Sequence, residues 1–179
     1  MFIKKLDFTV NLPQIKLDLD EILSKTSWEP INQIGLTHRK DIKNDAWKDC
    51  TGSLYNETKT IKLIDEQEFT EINEETPEYL KQVLVNFSKS QNFKLGRARF
   101  IRLIPNTGLS LHVDETVRYH LIVQTNTAAF VGKGNLETAT AICYHLPANG
   151  HFYQIDTRYP HFVYNAGFTD RVHLVLCPN

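Results

Sequence analysis

His112-Val113-Asp114 places an imidazole and a carboxylate two residues apart. On a β-strand, residues i and i+2 project from the same face, so the two groups stand at a separation that one metal ion can bridge. The pair needs a third ligand. His161, 47 residues beyond Asp114 and at the head of another strand-like segment, is the best candidate, because a connection of that length lets a sheet turn back on itself. Two histidines and one carboxylate on one face of an octahedron leave three positions open, the pattern of non-haem Fe(II) sites that activate dioxygen. A purely structural zinc site would more often close with four protein ligands.

Two further sets share a single pattern. Arg118, His120 and Ile122 fall on one face of a strand with Tyr119, Leu121 and Val123 opposite, and Arg171, His173 and Val175 repeat it with Val172, Leu174 and Leu176 opposite. A polar face can simply meet solvent, as half of an antiparallel sheet often does. Such faces usually carry Thr, Lys, Glu and Ser, however, whereas Arg-x-His twice over points to a polar interior that holds an anion or a metal.

The composition agrees with this placement only once it is divided. The 179 residues carry 20 Lys+Arg against 21 Asp+Glu, a formal net charge of -1. Residues 1 to 89 hold 12 basic and 16 acidic side chains and residues 90 to 179 hold 8 and 5, so the halves stand at -4 and +3. Six of seven histidines and six of seven arginines lie in the second half, which either neutralises the acidic first half or concentrates the side chains used for carboxylate recognition and metal ligation. The positive excess is too small for a nucleic-acid partner. No apolar run approaches the roughly 20 residues of a membrane helix, and the first residues lack the apolar stretch of a secretory signal, so the expected setting is the cytoplasm with no membrane partner. Cys50, Cys143 and Cys177 are odd in number and far apart, and read as buried thiols rather than a disulfide framework or a zinc ribbon.

These residues must be positioned by the elements around them. Thr76-Pro77-Glu78 predicts a helix start, with Thr76 as N-cap and Pro77 first in the helix, followed by Leu80, Val83, Leu84 and Phe87 at i, i+3, i+4 and i+7. A second helix is expected over Asp18 to Lys25, with Asp18 and Glu21 as a capping box, a strand over Lys59 to Ile64, and long loops over residues 26 to 58. From Gly96 the texture changes to short alternating segments. Strands are predicted over Arg97 to Ile104, Leu109 to Asp114, Arg118 to Thr125, Thr127 to Val131, Ala139 to Leu146, His151 to Asp156, His161 to Asn165 and Arg171 to Cys177, with a turn at Gly132-Lys133-Gly134-Asn135. That count suits an eight-stranded sandwich or barrel with flanking helices, a mainly β chain of the α+β kind. With no repeat or linker, residues 1–179 are expected to form a single domain in which a helix and loop part, 1–95, packs on a β core, 96–179.

Taken in order, Arg102-Leu103-Ile104-Pro105, His112-Val113-Asp114, Arg118-Tyr119-His120-Leu121, Gly150-His151-Phe152-Tyr153-Gln154-Ile155-Asp156, His161-Phe162-Val163-Tyr164-Asn165 and Arg171-Val172-His173-Leu174-Val175 resemble the aspartyl/asparaginyl beta-hydroxylase family of Fe(II)- and 2-oxoglutarate-dependent dioxygenases. The resemblance covers roughly the last 80 residues. It implies a double-stranded β-helix, a cupin-like jelly roll whose open mouth holds the iron. It further implies that His112, Asp114 and His161 are the iron ligands and that Arg171 pairs with the distal carboxylate of 2-oxoglutarate. Arg118 and His120 match the family's Arg-x-His, a further cosubstrate or substrate contact. Asp114 supplies the carboxylate that some animal members lack, so the chain looks closer to bacterial-type members. One departure is that Ile101 stands near the position of a hydroxyl-bearing residue in some relatives.

The implied activity is hydroxylation of an unactivated C–H bond by iron, 2-oxoglutarate and O2. The substrate would be an amino acid, an Asp or Asn side chain in a peptide, or a related small molecule. Two other readings stay open on the residues alone: a cupin-like metal-dependent isomerase or hydrolase, and a non-enzymatic jelly-roll module that binds anions. Arg171 could also serve as an ion-pair partner of Asp170 or Asp156. His145, His151 and His173 read as structural or as supports behind the residues that touch metal and ligand, Asn165 as support for the sheet or the mouth, and Trp47 as packing, with His38, Arg39 and Tyr55 as pocket candidates. Oligomeric state is not readable from the sequence.

Overall fold

A computed structural model describes residues 1–42, 45–58 and 60–179. In chain order they form β1 (Ile3–Thr9), α1 (Leu12–Leu23), β2 (Gln33–Gly35), β3 (Thr37–His38), α2 (Ala46–Asp49), β4 (Glu71–Ile72) and α3 (Glu78–Ser90). The strands β5 (Leu95–Leu103), β6 (Thr107–His112), β7 (Arg118–Gln124), β8 (Ala129–Asn135), β9 (Thr140–Tyr144), β10 (His151–Ile155), β11 (His161–Asn165) and β12 (Arg171–Pro178) follow. The fold is mainly antiparallel β with a few helices. It divides into two compact units, Met1–Leu12 with Arg102–Leu174, and Pro13–Ile101 with Val175–Asn179.

The first unit is a two-layered jelly roll. One layer runs β1-β10-β7 and then the first residues of β12; the other runs β6-β11-β8-β9. Leu103, Ile122, Tyr153 and Ile155 pack with Val131, Val163, Leu146 and Phe2 between the layers. These side chains come from both sheets, so their burial, about 25 cal/mol per Å2 of apolar surface, holds the layers face to face. All eight predicted strands are present. Gly132 to Asn135 are not a turn, however, but the end of β8, and the chain reverses over residues 136–139 instead. Gly132 sits in a strand because its cross-strand partner is Phe162, whose ring would lie 2.1 Å from any Cβ there.

The strand β1 was not foreseen. Its register with β10 shifts between Lys5 and Thr9, and that irregularity, with Lys4 and Lys5 adjacent, breaks the period-2 pattern that marks a strand.

In the second unit, β2 pairs with β5, and the end of β12 lies on the other side of β5. The helix α3 buries Leu80, Val83, Leu84 and Phe87, the predicted stripe, but Pro77 occupies the cap position and no side chain caps it. The helix α1 begins six residues earlier than expected, with Pro13 in its first turn. Asp18 is therefore a buried mid-helix residue bonded to Gln14, not a cap. Of the strand expected over Lys59 to Ile64, Lys59 lies outside the described residues. The rest is irregular, with an isolated bridge between Tyr55 and Lys62. Cys50 and Cys177 are buried, whereas Cys143 is exposed because it lies on the edge strand β9. Trp47 is buried, as packing requires. Among the described residues no helix is long and apolar enough to cross a membrane.

Candidate functional site

The strand pair β6·β11 brings the first two candidate ligands together. His112 and His161 are direct cross-strand partners, and a bulge between His161 and Val163 re-aims the strand at that point. Their rings lie 4.2 Å apart, centroid to centroid. Asp114 leaves the end of β6 and is fixed by its backbone N–H, which donates to Thr157 O at 2.9 Å. His112 Nε2 lies 4.0 Å from Asp114 Oδ1, and His161 Nε2 lies 3.7 Å from Asp114 Oδ2. One ligand atom from each residue falls within 4.8 Å of the others. Two atoms each about 2.1 Å from one ion would be about 3 Å apart at the 90° of a facial set, so both measured pairs stand within about 1 Å of what a shared metal requires.

The tautomers fit as well. His112 Nδ1 donates to Ser110 O at 2.7 Å, and His161 Nδ1 donates to Tyr159 O at 3.0 Å. Both rings therefore carry a proton on the far nitrogen and turn Nε2 toward Asp114, the arrangement by which metal-bound histidines are oriented. Burial, with His112 close by, lowers the pKa of His161 and favours its neutral, ligating form. The side chain of His161 is 5% exposed and that of His112 37%, so the cluster opens to solvent on the His112 side.

Arg118 and His120, two residues apart on β7, have separate surroundings. Arg118 Nε lies 3.3 Å from Asp114 Oδ2, and Arg118 Nη1 bonds to the Thr116 hydroxyl and carbonyl. The guanidinium thus braces the carboxylate of the cluster. His120 faces β12 instead, with its Nδ1 3.2 Å from His173 Nδ1. Arg171 Nη2 donates to that same nitrogen at 3.0 Å. Asp170 pairs with Arg102 and Asp156 with Arg158, so neither neutralises Arg171. Burial alone pushes Arg171 down to about 9, still protonated near neutrality. A buried cation without a counter-ion costs several kcal/mol, which an incoming carboxylate would offset.

The sequence offered His173 as structural or as a support behind the site, and the structure sets it against Arg171 and His120. The carbonyls of Ser110 and Tyr159 carry no side-chain signal at all. Asn165 is buried and bonded to Leu103 O, Thr169 O and Asn126, which makes it a sheet support as expected. His145 and His151 bond to backbone carbonyls of Ala129 and Leu6. Of the pocket candidates in the second unit, Arg39 is tied to Asp49.

A family model described as aspartyl/asparaginyl beta-hydroxylase matches residues 9–177. Among solved structures, an oxidoreductase of the 2OG-Fe(II) oxygenase family from Burkholderia pseudomallei is 12% identical and covers 98% of this chain and 82% of its own, with a TM-score of 0.59. That likeness shows the fold. A prolyl-4-hydroxylase from Pseudomonas putida is 14% identical over 60% of this chain and 68% of its own, with a TM-score of 0.47. The capsular polysaccharide assembling protein CapF from Staphylococcus aureus is 17% identical over 45% of this chain, with a TM-score of 0.38, and the matched part is 22% of that longer chain. No curated protein matches the sequence.

Proposed function

Because the chain belongs to the aspartyl/asparaginyl beta-hydroxylase family of oxygenases, we propose that it is an Fe(II)- and 2-oxoglutarate-dependent dioxygenase. Its substrate would be an amino acid, an Asp or Asn side chain in a peptide, or a related small molecule, hydroxylated at an unactivated C–H bond. The observation that carries this reading is the convergence of His112 Nε2, Asp114 and His161 Nε2 beside an open face, with both imidazole protons held away on backbone carbonyls.

In this reading His112, Asp114 and His161 hold iron. An Fe(II) ion bound there supplies what no side chain can: activation of O2 at the expense of 2-oxoglutarate, giving succinate, carbon dioxide and a hydroxylated product. The remaining work belongs to this chain's own residues. Arg171 holds the distal carboxylate through its unused N–H groups, and burial makes that contact strong by excluding competing water. Arg118 keeps Asp114 turned toward the two imidazoles, and Thr157 anchors the backbone of Asp114. His120 is a further cosubstrate or substrate contact.

The test is turnover of 2-oxoglutarate to succinate by protein loaded with Fe(II) in air, screened over amino acids and peptides. His112→Ala is expected to lose both iron and succinate formation. A variant that kept both would overturn the assignment, and a metal-dependent protein that formed no succinate would favour Lewis-acid isomerase or hydrolase chemistry.

A further inference from the structure

We infer that His173 is the positioning residue for Arg171: its unprotonated Nδ1 fixes the guanidinium in the orientation that receives the distal carboxylate of 2-oxoglutarate. This inference rests on the cosubstrate reading above and adds to it a residue that does not itself touch the cosubstrate.

A guanidinium has five N–H donors and no acceptor. Since Arg171 Nη2 lies 3.0 Å from His173 Nδ1, that nitrogen must offer its lone pair, which assigns the ring proton of His173 to Nε2. The imidazole is therefore neutral. Burial, followed by the nearby charge of Arg171, pushes its pKa well below the ordinary histidine value, so the neutral form persists across the working range. His120 Nδ1 stands 3.2 Å from the same nitrogen and, with that nitrogen an acceptor, donates to it as well, so the lone pair is shared between Arg171 and His120; the two rings are nearly perpendicular at 82°, 5.5 Å between centroids.

The choice of a neutral acceptor has a physical reason. A carboxylate in the place of His173 would hold Arg171 more tightly but would cancel its charge, leaving little attraction for an incoming anion. An imidazole Nδ1 removes the rotational freedom of the guanidinium and leaves its charge and its other N–H groups for the ligand. Arg171 and His173 are i and i+2 on one strand, so the arrangement is built into β12 and needs no loop to close.

The test is an anaerobic calorimetric titration of the iron-loaded protein with 2-oxoglutarate and with 2-oxobutanoate, which keeps the keto acid end and lacks the distal carboxylate. The wild type is expected to prefer 2-oxoglutarate. Loss of a hydrogen bond to a charged group is worth about tenfold or more, so His173→Leu should raise the Kd for 2-oxoglutarate by that factor. It should leave 2-oxobutanoate binding and iron content unchanged. His173→Asn, whose Oδ1 can replace Nδ1 as acceptor, should restore the preference. Should the Leu variant fail to fold, His173→Gln replaces it: its amide reaches the Nε2 position, leaves the Nδ1 position empty, and should lose the preference. The inference is overturned if the Leu or Gln variant keeps the wild-type preference, or if Asn loses as much as they do. A wild type with no preference for 2-oxoglutarate overturns the cosubstrate reading itself, and this inference with it.

Discussion

Arg97 in the second unit and Arg171 in the first are alike in almost everything that sequence and burial report. Both lie on strands, both are almost wholly buried, and burial pushes both down to about 9. Their partners separate them. Arg97 Nε donates to Cys50 O at 2.6 Å, Nη2 bonds to Gly52 O, and Nη1 lies 3.8 Å from Glu66. Its cation ties two loop carbonyls and a carboxylate to β5. Among the described residues Arg171 has one neutral partner, His173, and no carboxylate. A buried arginine with its donors and charge satisfied is part of the architecture, whereas one with spare donors and an uncancelled charge is what the proposed binding of a carboxylate requires.

Removing each arginine should break that contrast in opposite directions. The largest effect is expected for Arg97→Leu, which strands Glu66 and two carbonyls and should lower the unfolding free energy by about 3 to 5 kcal/mol in a denaturant titration. Arg171→Leu should leave stability within about 1 kcal/mol of wild type or raise it, since an unpaired buried charge is being removed. The same variant should raise the KM for 2-oxoglutarate roughly 100-fold through loss of charge-assisted hydrogen bonds. If Arg171→Leu unfolds the protein as Arg97→Leu does, the contrast fails.

A smaller effect sharpens the role of the first unit's sheet. Gly108 on β6 faces Tyr164 on β11, and a Cβ there would lie 2.3 Å from Val163 O, a backbone atom with little room to move. Gly108→Ala should cost about 1 to 3 kcal/mol by forcing the strands apart. Because those strands carry His112 and His161, iron affinity should fall with stability; a variant that lost stability and kept full iron affinity would show that the strand pair does not set the ligand geometry.

The smallest effect belongs to the second unit. Burial raises the Asp49 pKa, but the hydrogen bonds and charge of Arg39 outweigh it and hold the carboxyl below its ordinary value. A depressed carboxyl pKa adds stability above the unfolded value, near 3.9, and that stability is lost as pH falls through the folded pKa. Asp49→Asn should therefore cost about 1 kcal/mol or less at pH 7 and nothing at strongly acid pH, measured as the difference in denaturation midpoints.

Much of the candidate site was legible because strand alternation is a two-residue rule. His112 with Asp114, Arg118 with His120, and Arg171 with His173 each share a face by spacing alone. The partners that tell these residues apart were not legible. Nothing in the spacing says that Arg118 turns to Asp114 while His120 turns to His173, since that depends on which strands become neighbours. The eight strands β5 to β12 could be read from alternation and turn residues. Gly132 and Gly134 misled because glycine in a strand, placed to admit the Phe162 ring and the Leu111 side chain, looks the same as glycine in a turn. The strand β1 was hidden by its own bulge, and α1 by a short proline-containing first turn ahead of its clearer apolar stripe.

The most direct test of the central claim is an oxygen-isotope experiment. Iron-loaded protein is incubated with 2-oxoglutarate under 18O2, with the best substrate from the amino acid and peptide screen, and the succinate is weighed by mass spectrometry. An oxygenase centre at His112, Asp114 and His161 predicts succinate carrying one 18O atom in the wild type and none formed by His161→Ala. Unlabelled succinate, or labelled succinate made equally well by His161→Ala, would contradict it.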